Sequence, residues 1–343
     1  MAEWWMDERL VPTGELGGSV QDDTDFYQQL ADLPLFETNG VGRRVRDAAA
    51  RLAELADKET LREGLNIRDW DALHAYEDGL NHIALMARWF YGDPIYLERC
   101  MVSARNLERL TIRTEDGRRH FRDWRKMGHK DLAAPRAPAR DGSACALMFH
   151  PALQYADYNR SDAALKLARE WADTWLKLME PHRCPTEVNV LSGDVRKWGK
   201  DDWPLHIGYG SSSVYVWLYA LTGDARYVEP YLRCFRDGVL PHPARPHLSE
   251  LYALGALDNA LPGDTLRKLA AQDAATTAYV AGDPTRLGKA PRGGARNWQA
   301  TIDTIRDALR FPDMYTKAEQ YTDRVFLGKL QTHGSRSHCP PTP

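Results

Sequence analysis

Apolar residues recur at helical spacing along most of the 343-residue chain. Two long runs, residues 41–57 and 161–179, place their apolar positions on one helical face and polar residues opposite, as amphipathic helices do. These apolar positions are Val45, Ala48, Leu52 and Leu55 in the first run and Leu165, Ala168, Ala172, Trp175 and Leu176 in the second. Sustained strand alternation is missing, and the best strand candidate is the short segment 188–191. The pattern predicts an all-α protein.

Short turns divide the apolar helices from the amphipathic helices that follow them. They occupy residues 91–94, 159–162, 222–225 and 281–284. Glycine favours the turn that ends a helix, aspartate caps the next helix, and proline fits its first position. From one aspartate to the next the steps are 69, 62 and 59 residues. This spacing predicts a repeated unit of one helical hairpin and one connecting loop.

About six such hairpins are expected when a first one at residues 22–57 and a last one at 295–327 are included. Six hairpins in a curved arrangement close into an (α/α)6-type toroid, and fewer form part of one. We expect a Gly- and acid-rich segment at residues 1–21, a single toroid domain at 22–330 and a disordered tail at 331–343. Long loops on one side of such a scaffold are where sites are usually built.

The turn motif Leu-Tyr-Ala-Leu-Thr-Gly-Asp-Ala-Arg-Tyr-Val at residues 218–228, together with the aromatic loops, resembles the six-hairpin glycosidase and polysaccharide-lyase superfamily. The resemblance covers residues 22–327 and implies an (α/α) toroid with a cleft at one end. It also implies an enzyme that cleaves glycosidic bonds in carbohydrate. Some toroidal glycosidases use an Asp-Asp pair at a helix edge, which Asp22-Asp23 resembles. The shared motifs describe architecture, so no catalytic residue is carried over by alignment.

Composition narrows the classes of function. The formal net charge is -3 and the pI about 6.4, whereas nucleic-acid-binding proteins are usually strongly basic. No apolar run is long enough to span a membrane, and the acidic first ten residues do not form a signal peptide. The expected partner is a carbohydrate, with no nucleic acid and no membrane, and the oligomeric state is open. The expected location is the cytoplasm, or outside it if a longer protein carries an export signal.

The segment of residues 12–26 concentrates glycines and carboxylates before the first predicted hairpin. Glu15 is a candidate sugar-binding residue. Asp22 and Asp23 are candidate catalytic residues, because a desolvated member of an acidic pair has a raised pKa and can donate a proton. In the alternative interpretation, Asp22 caps the helix and its acidic neighbours favour the positive end of the helix. No cofactor motif occurs, and a calcium ion among these acids is left open.

The segment His-Ala-Tyr-Glu-Asp-Gly-Leu-Asn-His, which begins at His74, holds the strongest candidate site. On a regular helix, His74, Glu77, Asp78 and Asn81 would share one face at i, i+3, i+4 and i+7. We expect His74 and Glu77 to act as catalytic acid or base, and Tyr76 and Asn81 to bind substrate. A third metal ligand is not identifiable, so no metal site is predicted. The alternative is a solvated helix end.

Residues 113–140 form a long basic stretch in which Trp124, Arg125 and Lys126 are candidate substrate-binding residues. Arginine binds carboxylate or sulfate in a bidentate manner, so an acidic glycan fits this stretch. The chain has 11 Trp and 15 Tyr against 8 Phe, a preference for rings with a polar group that suits a wet cleft. The alternative is a solvated loop neutralised by its own acids. Further candidates are His206 for catalysis and His150, Trp203 and Tyr209 for substrate binding.

Three functions stay open. Acid–base hydrolysis of a poly- or oligosaccharide, expected to be an acidic glycan, would use Glu77 or Asp78 with Asp22, Asp23 or Asp202. A polysaccharide lyase would eliminate across a uronate with His74 or His206 and a tyrosine as the proton-transfer pair. A helical-repeat module would bind a glycan or a protein without turnover. The acidic clusters favour hydrolysis, and the basic stretch favours elimination.

Overall fold

The computed structural model describes residues 2–237 apart from 18–19, 29, 32, 69, 134, 136 and 200–210. Its α-helices are α1 (Ala2–Glu8), α2 (Val20–Gln28), α3 (Leu33–Phe36), α4 (Gly40–Glu59), α5 (Ala72–Ala75), α6 (Asn81–Trp89), α7 (Pro94–Leu107), α8 (Lys130–Ala133), α9 (His150–Asn159), α10 (Asp162–Leu178), α11 (Ser211–Thr222) and α12 (Glu229–Arg236). Its strands are β1 (Leu61–Arg62), β2 (Leu65–Asn66), β3 (Thr111–Arg113), β4 (Arg119–Phe121), β5 (Arg140–Gly142), β6 (Pro185–Asn189) and β7 (Val195–Trp198). A π turn covers Tyr76–Leu80, and 3-10 turns cover Glu108–Leu110, Ser143–Phe149 and Ala225–Tyr227.

Two kinds of helix alternate along the chain. Helices α2, α6, α9 and α11 are short inner helices, and in α6 all residues except Arg88 are buried. Helices α4, α7 and α10 are longer, amphipathic outer helices with one buried face. Each of these outer helices packs on the inner helix before it and on the inner helix after it. The hairpins therefore form a curved row. In the described part, no helix combines the length and apolar composition needed to cross a bilayer.

Helices α6 and α9 run in the same direction. Tyr76 lies against His150 where α6 and α9 begin, and Tyr91 lies against Tyr158 where these helices end. Helix α2 packs beside the start of α6, because Thr24 and Gln28 contact the segment that leads into α6. The starts of α6 and α9 and the contacting residues of α2 consequently lie at one end of the fold.

The predicted turns join inner to outer helices at the other end. In the first, Gly92 has a φ of 85°, and Asp93 caps α7 by accepting a backbone hydrogen bond of 3.0 Å, as predicted. In the second, Arg160 adopts the left-handed conformation with a φ of 56°, and Ser161 caps α10. Asp162 is therefore the first residue of the helix and not its cap. The predicted turn at 281–284 lies outside the described residues.

The long connections lie where the inner helices begin. They link α4 to α5, α7 to α9 and α10 to α11, and they carry the strands. Strands β1–β2 and β3–β4 form antiparallel pairs, and β5, β6 and β7 form an antiparallel sheet in that order. The predicted strand segment 188–191 overlaps β6, but the other strands are too short to show alternation in the sequence. The predicted last hairpin and the tail lie outside the described residues.

One buried carboxylate ties these connections to the helices. Asp141 of β5 is 0% exposed, and its Oδ2 accepts hydrogen bonds of 2.9 Å from the indole Nε1 atoms of Trp171 and Trp175 in α10. His120 Nδ1, in β4, lies 3.0 Å from the same oxygen. A buried carboxylate is tolerated only where protein donors replace its water. Asp141 thus fixes β4 and β5 against α10.

We predict that Asp141→Ala lowers the free energy of unfolding by about 3–5 kcal/mol, because it leaves buried indole and imidazole nitrogens without their acceptor. Urea unfolding followed by tryptophan fluorescence measures this loss. As a matched control, Asp47→Ala on the exposed side of α4 should change stability by about 0.5 kcal/mol at most. Equal losses in the two variants would contradict the structural role of Asp141.

Candidate active site

A break in the helix shapes the segment from His74 to Asn81. The π turn separates α5 from α6, and within it Asp78 (ψ 25°) and Gly79 (φ 158°) leave helical backbone angles. The predicted single helical face is therefore wrong. Glu77 and Asn81 are buried, at 6% and 0% exposed, whereas His74 lies at the surface. Such insertions re-aim side chains and are frequent at functional sites.

The acidic part of α2 packs directly on this π turn. Thr24 Oγ1 donates a hydrogen bond of 3.2 Å to the backbone carbonyl of Glu77. Asn81 Nδ2 donates one of 3.4 Å to Asp25 Oδ1. Asp23 is buried, and its Oδ2 accepts a backbone amide of the N-terminal segment at 2.7 Å. The structure thus brings together two acidic segments that lie about fifty residues apart in the sequence.

A chain of buried hydrogen bonds links three inner helices beside these acids. Gln28 Nε2, at the end of α2, donates to the hydroxyl of Tyr76 at 3.2 Å. The hydroxyl lies 2.9 Å from His150 Nδ1 at the start of α9. Burial lowers the pKa of His150 to about 3, and the charge of Arg88 acts in the same direction. The imidazole is therefore neutral, and it shares one hydrogen bond with the hydroxyl of Tyr76. Tyr76 and His150, predicted to bind substrate, are both buried and bonded to each other.

His74 lies outside this buried group. Its Nδ1 is 2.9 Å from Asp71 Oδ1, and its ring stacks on Trp70 with ring centroids 5.5 Å apart. The hydrogen bond with Asp71 raises the pKa of His74 to about 9; the charges of Asp71, Glu77 and Asp78 act in the same direction, and partial burial opposes them. His74 is therefore protonated at neutral pH, which suits it to hold an anionic group and not to accept a proton.

The basic stretch is folded against the rest of the chain and is not a free loop. Its arginines pair with carboxylates of the same chain: Arg113 and Arg119 with Glu170, Arg118 with Asp116, Arg125 with Asp123, and Arg140 with Glu187. Trp124 is half-buried, and its Nε1 donates to Glu187 Oε2 at 3.2 Å. Lys126, two residues after Trp124 in the sequence, is also half-buried. Five arginines of the basic stretch are thus paired with carboxylates of the chain, two of which, Glu170 and Glu187, lie outside the stretch.

The remaining predicted residues are spread more widely. Glu15 is half-buried, and its Oε2 accepts a hydrogen bond of 2.7 Å from Thr13 Oγ1. Asp202, Trp203, His206 and Tyr209 lie outside the described residues, as does the side chain of Asp22. In the described part, no group of three His, Cys, Asp or Glu residues is arranged to hold a metal ion.

Gln28 of the buried group was missed in the sequence, and Asp25 was counted only among the carboxylates of residues 12–26, without a role. Asp25 and Gln28 lie one turn apart on α2, and both are less than 10% exposed. The sequence does contain a signal for these two residues: they lie three positions apart, so they share a helix face, and a buried helix face is normally apolar. Polar residues at such positions indicate either a site or an internal hydrogen-bond network.

No protein-family model matches the chain, and no curated protein matches it. Among solved structures, it is similar to the alpha-1,6-mannanase GH76A of Salegentibacter sp. HEL1_6. One such structure is an inactive variant in which two adjacent aspartates are replaced by asparagine, in complex with alpha-1,6-mannotriose. Its TM-score is 0.52 and its sequence identity is 12%, and the match covers 80% of this chain and 84% of that chain. Another has alanine at both positions and alpha-1,6-mannotetrose bound, with a TM-score of 0.52 and 11% identity over 78% and 82%. At this identity the likeness shows the fold, and the predicted (α/α)6-type toroid is confirmed.

We predict that His74 titrates near pH 9 in the folded protein, as NMR of the ring carbons would show. The pKa of His74 is higher in the folded protein than its unfolded value of about 6.5. The contact with Asp71 therefore stabilises the fold fully below about pH 6.5, and this stabilisation is lost as the pH rises through about 9. Asp71→Asn should move the titration of His74 back towards the ordinary value. Buried His82, whose pKa burial lowers to about 4, serves as an internal reference that this substitution leaves unchanged. A wild-type midpoint near 6.5 would contradict the contact.

Proposed function

We propose that the chain is a glycoside hydrolase that cleaves a poly- or oligosaccharide by acid–base chemistry. One observation carries the proposal: the acidic start of α2 and the Glu77-Asp78 pair meet where the inner helices begin, with Thr24 Oγ1 3.2 Å from the carbonyl of Glu77. Hydrolysis of a glycosidic bond needs one carboxyl group to protonate the leaving oxygen and a second to activate water or attack the sugar. The two segments supply both groups.

The similar solved structures support this assignment. They are alpha-1,6-mannanases, two of them hold mannooligosaccharides, and their inactive variants lack two adjacent aspartates. This chain has adjacent acids at Asp22-Asp23 and at Glu77-Asp78, both at the same end of the fold. Asp23 is held by a backbone amide, so Glu77 and the more exposed Asp78 are the better candidates for contact with substrate.

The charges around the candidate site bear on whether the substrate is an acidic or a neutral glycan. An acidic glycan was expected from the basic stretch, but five of its arginines already pair with carboxylates, and a paired guanidinium has less to offer a substrate. Protonated His74 stands against three acidic side chains, Asp71, Glu77 and Asp78, so this part of the site has no excess positive charge with which to hold an acidic sugar. We therefore propose a neutral glycan, such as a mannan, as the preferred substrate.

Elimination is the weaker alternative. A lyase needs a base to remove a proton from the uronate, and His74 is already protonated at neutral pH. The described Tyr76–His150 pair is buried away from solvent. These features favour hydrolysis over elimination.

We predict that Glu77→Gln lowers kcat at least about 100-fold, because the amide can neither donate nor accept the proton of the reaction. Release of reducing sugar from alpha-1,6-mannotetraose measures the effect. Glu98→Gln, at the exposed start of α7 and at the other end of the fold, is the matched control and should keep full activity. Full activity in Glu77→Gln would remove Glu77 from the mechanism.

A substrate panel tests the class of reaction. We predict that neutral mannans yield reducing ends, whereas polyuronates yield neither reducing ends nor the ultraviolet absorbance of an unsaturated product. Ultraviolet absorbance with a polyuronate would establish a lyase. Binding of glycans without any turnover would leave a binding module.

A further inference from the structure

We propose that Tyr76 is a positioning residue, whose hydroxyl holds the π turn that carries Glu77 by bonding to Gln28 and His150. The inference rests on the proposed function for the role of Glu77. It assigns to Tyr76 and His150 a task other than contact with substrate.

The bonds of Tyr76 span three separate helices. Gln28 belongs to α2 and His150 to α9, while Tyr76 opens the π turn between α5 and α6. The two heavy-atom distances at the hydroxyl are 3.2 Å and 2.9 Å, within the range of real hydrogen bonds. All three side chains are less than 10% exposed. Water therefore does not compete for these bonds, and their geometry is well defined.

The π turn needs support of this kind. Its backbone leaves helical angles at Asp78 and Gly79, and the amide of Asn81 bonds to the carbonyl of Tyr76, five residues back, in place of the regular partner four residues back. Tyr76 anchors the start of the turn, and Thr24 holds the carbonyl of the next residue, Glu77, at 3.2 Å. Both anchors come from neighbouring inner helices. The position of Glu77 is consequently set by α2 and α9 together.

A purely space-filling role would not require the hydroxyl. Phenylalanine fills almost the same volume and carries no desolvation cost. The structure instead supplies two polar partners for the hydroxyl, Gln28 on α2 and His150 on α9. Two bonds to two different helices fix the orientation of Tyr76.

The test compares Tyr76 with a second buried tyrosine whose hydroxyl does not bond to Gln28 or His150. Tyr76→Phe should lower kcat on alpha-1,6-mannotetraose about 10- to 100-fold with little change in KM, because a small displacement of the reacting group slows the reaction more than it weakens binding. Tyr27→Phe is the matched control, since Tyr27 is also 0% exposed and its hydroxyl also donates a buried hydrogen bond, to the carbonyl of Gly14 at 2.7 Å. At position 150, His150→Gln keeps a side chain that can hydrogen-bond to Tyr76 in either direction and should recover part of the activity that His150→Leu loses.

Amide hydrogen exchange of residues 76–81 gives a second readout that is independent of turnover. Exchange there should be faster in Tyr76→Phe than in Tyr27→Phe. Equal exchange, or an equal loss of kcat in the two variants, would overturn the positioning role. A wild-type protein that hydrolyses no glycan would refute the proposed function alone, and hydrogen exchange would still decide whether Tyr76 holds the turn.

Discussion

The buried carboxylate of Asp141 is the interaction on which the geometry of the candidate site depends. Its three nitrogen neighbours fix β5 against α10 and β4. Strand β5 leads directly into the 3-10 turn Ser143–Phe149, and the next residue, His150, begins α9. His150 in turn contacts Tyr76, the residue before Glu77. A carboxylate in one long connection thus determines where the helix ends of the candidate site can lie.

The helical scaffold could be predicted because each hairpin repeats a local rule. The apolar faces at residues 41–57 and 161–179 became α4 and α10, and Asp93 became the cap of α7. These features depend on neighbours in sequence, which periodicity reports directly. Apart from the overlap of residues 188–191 with β6, the strands could not be predicted, because each is at most five residues long and too short to show alternation, and β5 pairs with the distant β6.

The sequence identified two acidic segments that meet in the structure, but not how they are arranged. The segments that hold Asp23 and Glu77 were identified from their acids, and they do meet. The face shared by His74 and Glu77 was wrong, because residue spacing assumes a regular helix and gives no sign of a π turn. The positions of buried Asp25 and Gln28 depend on which helix packs against α2, and this is a tertiary property.

The aromatic and basic residues show how composition can mislead about function. The polar groups of Trp171 and Trp175 serve the buried carboxylate of Asp141, and that of Trp124 serves Glu187, so these rings satisfy internal acids. The arginines of residues 113–140 do the same at the surface. A near-zero net charge here reflects local pairing of opposite charges. The polar groups around Glu77 differ, because they are buried with hydrogen bonds to one another at the shared end of the inner helices. An apolar interior would make the scaffold with less desolvation cost, and the position of this network beside Glu77 favours a functional role for it.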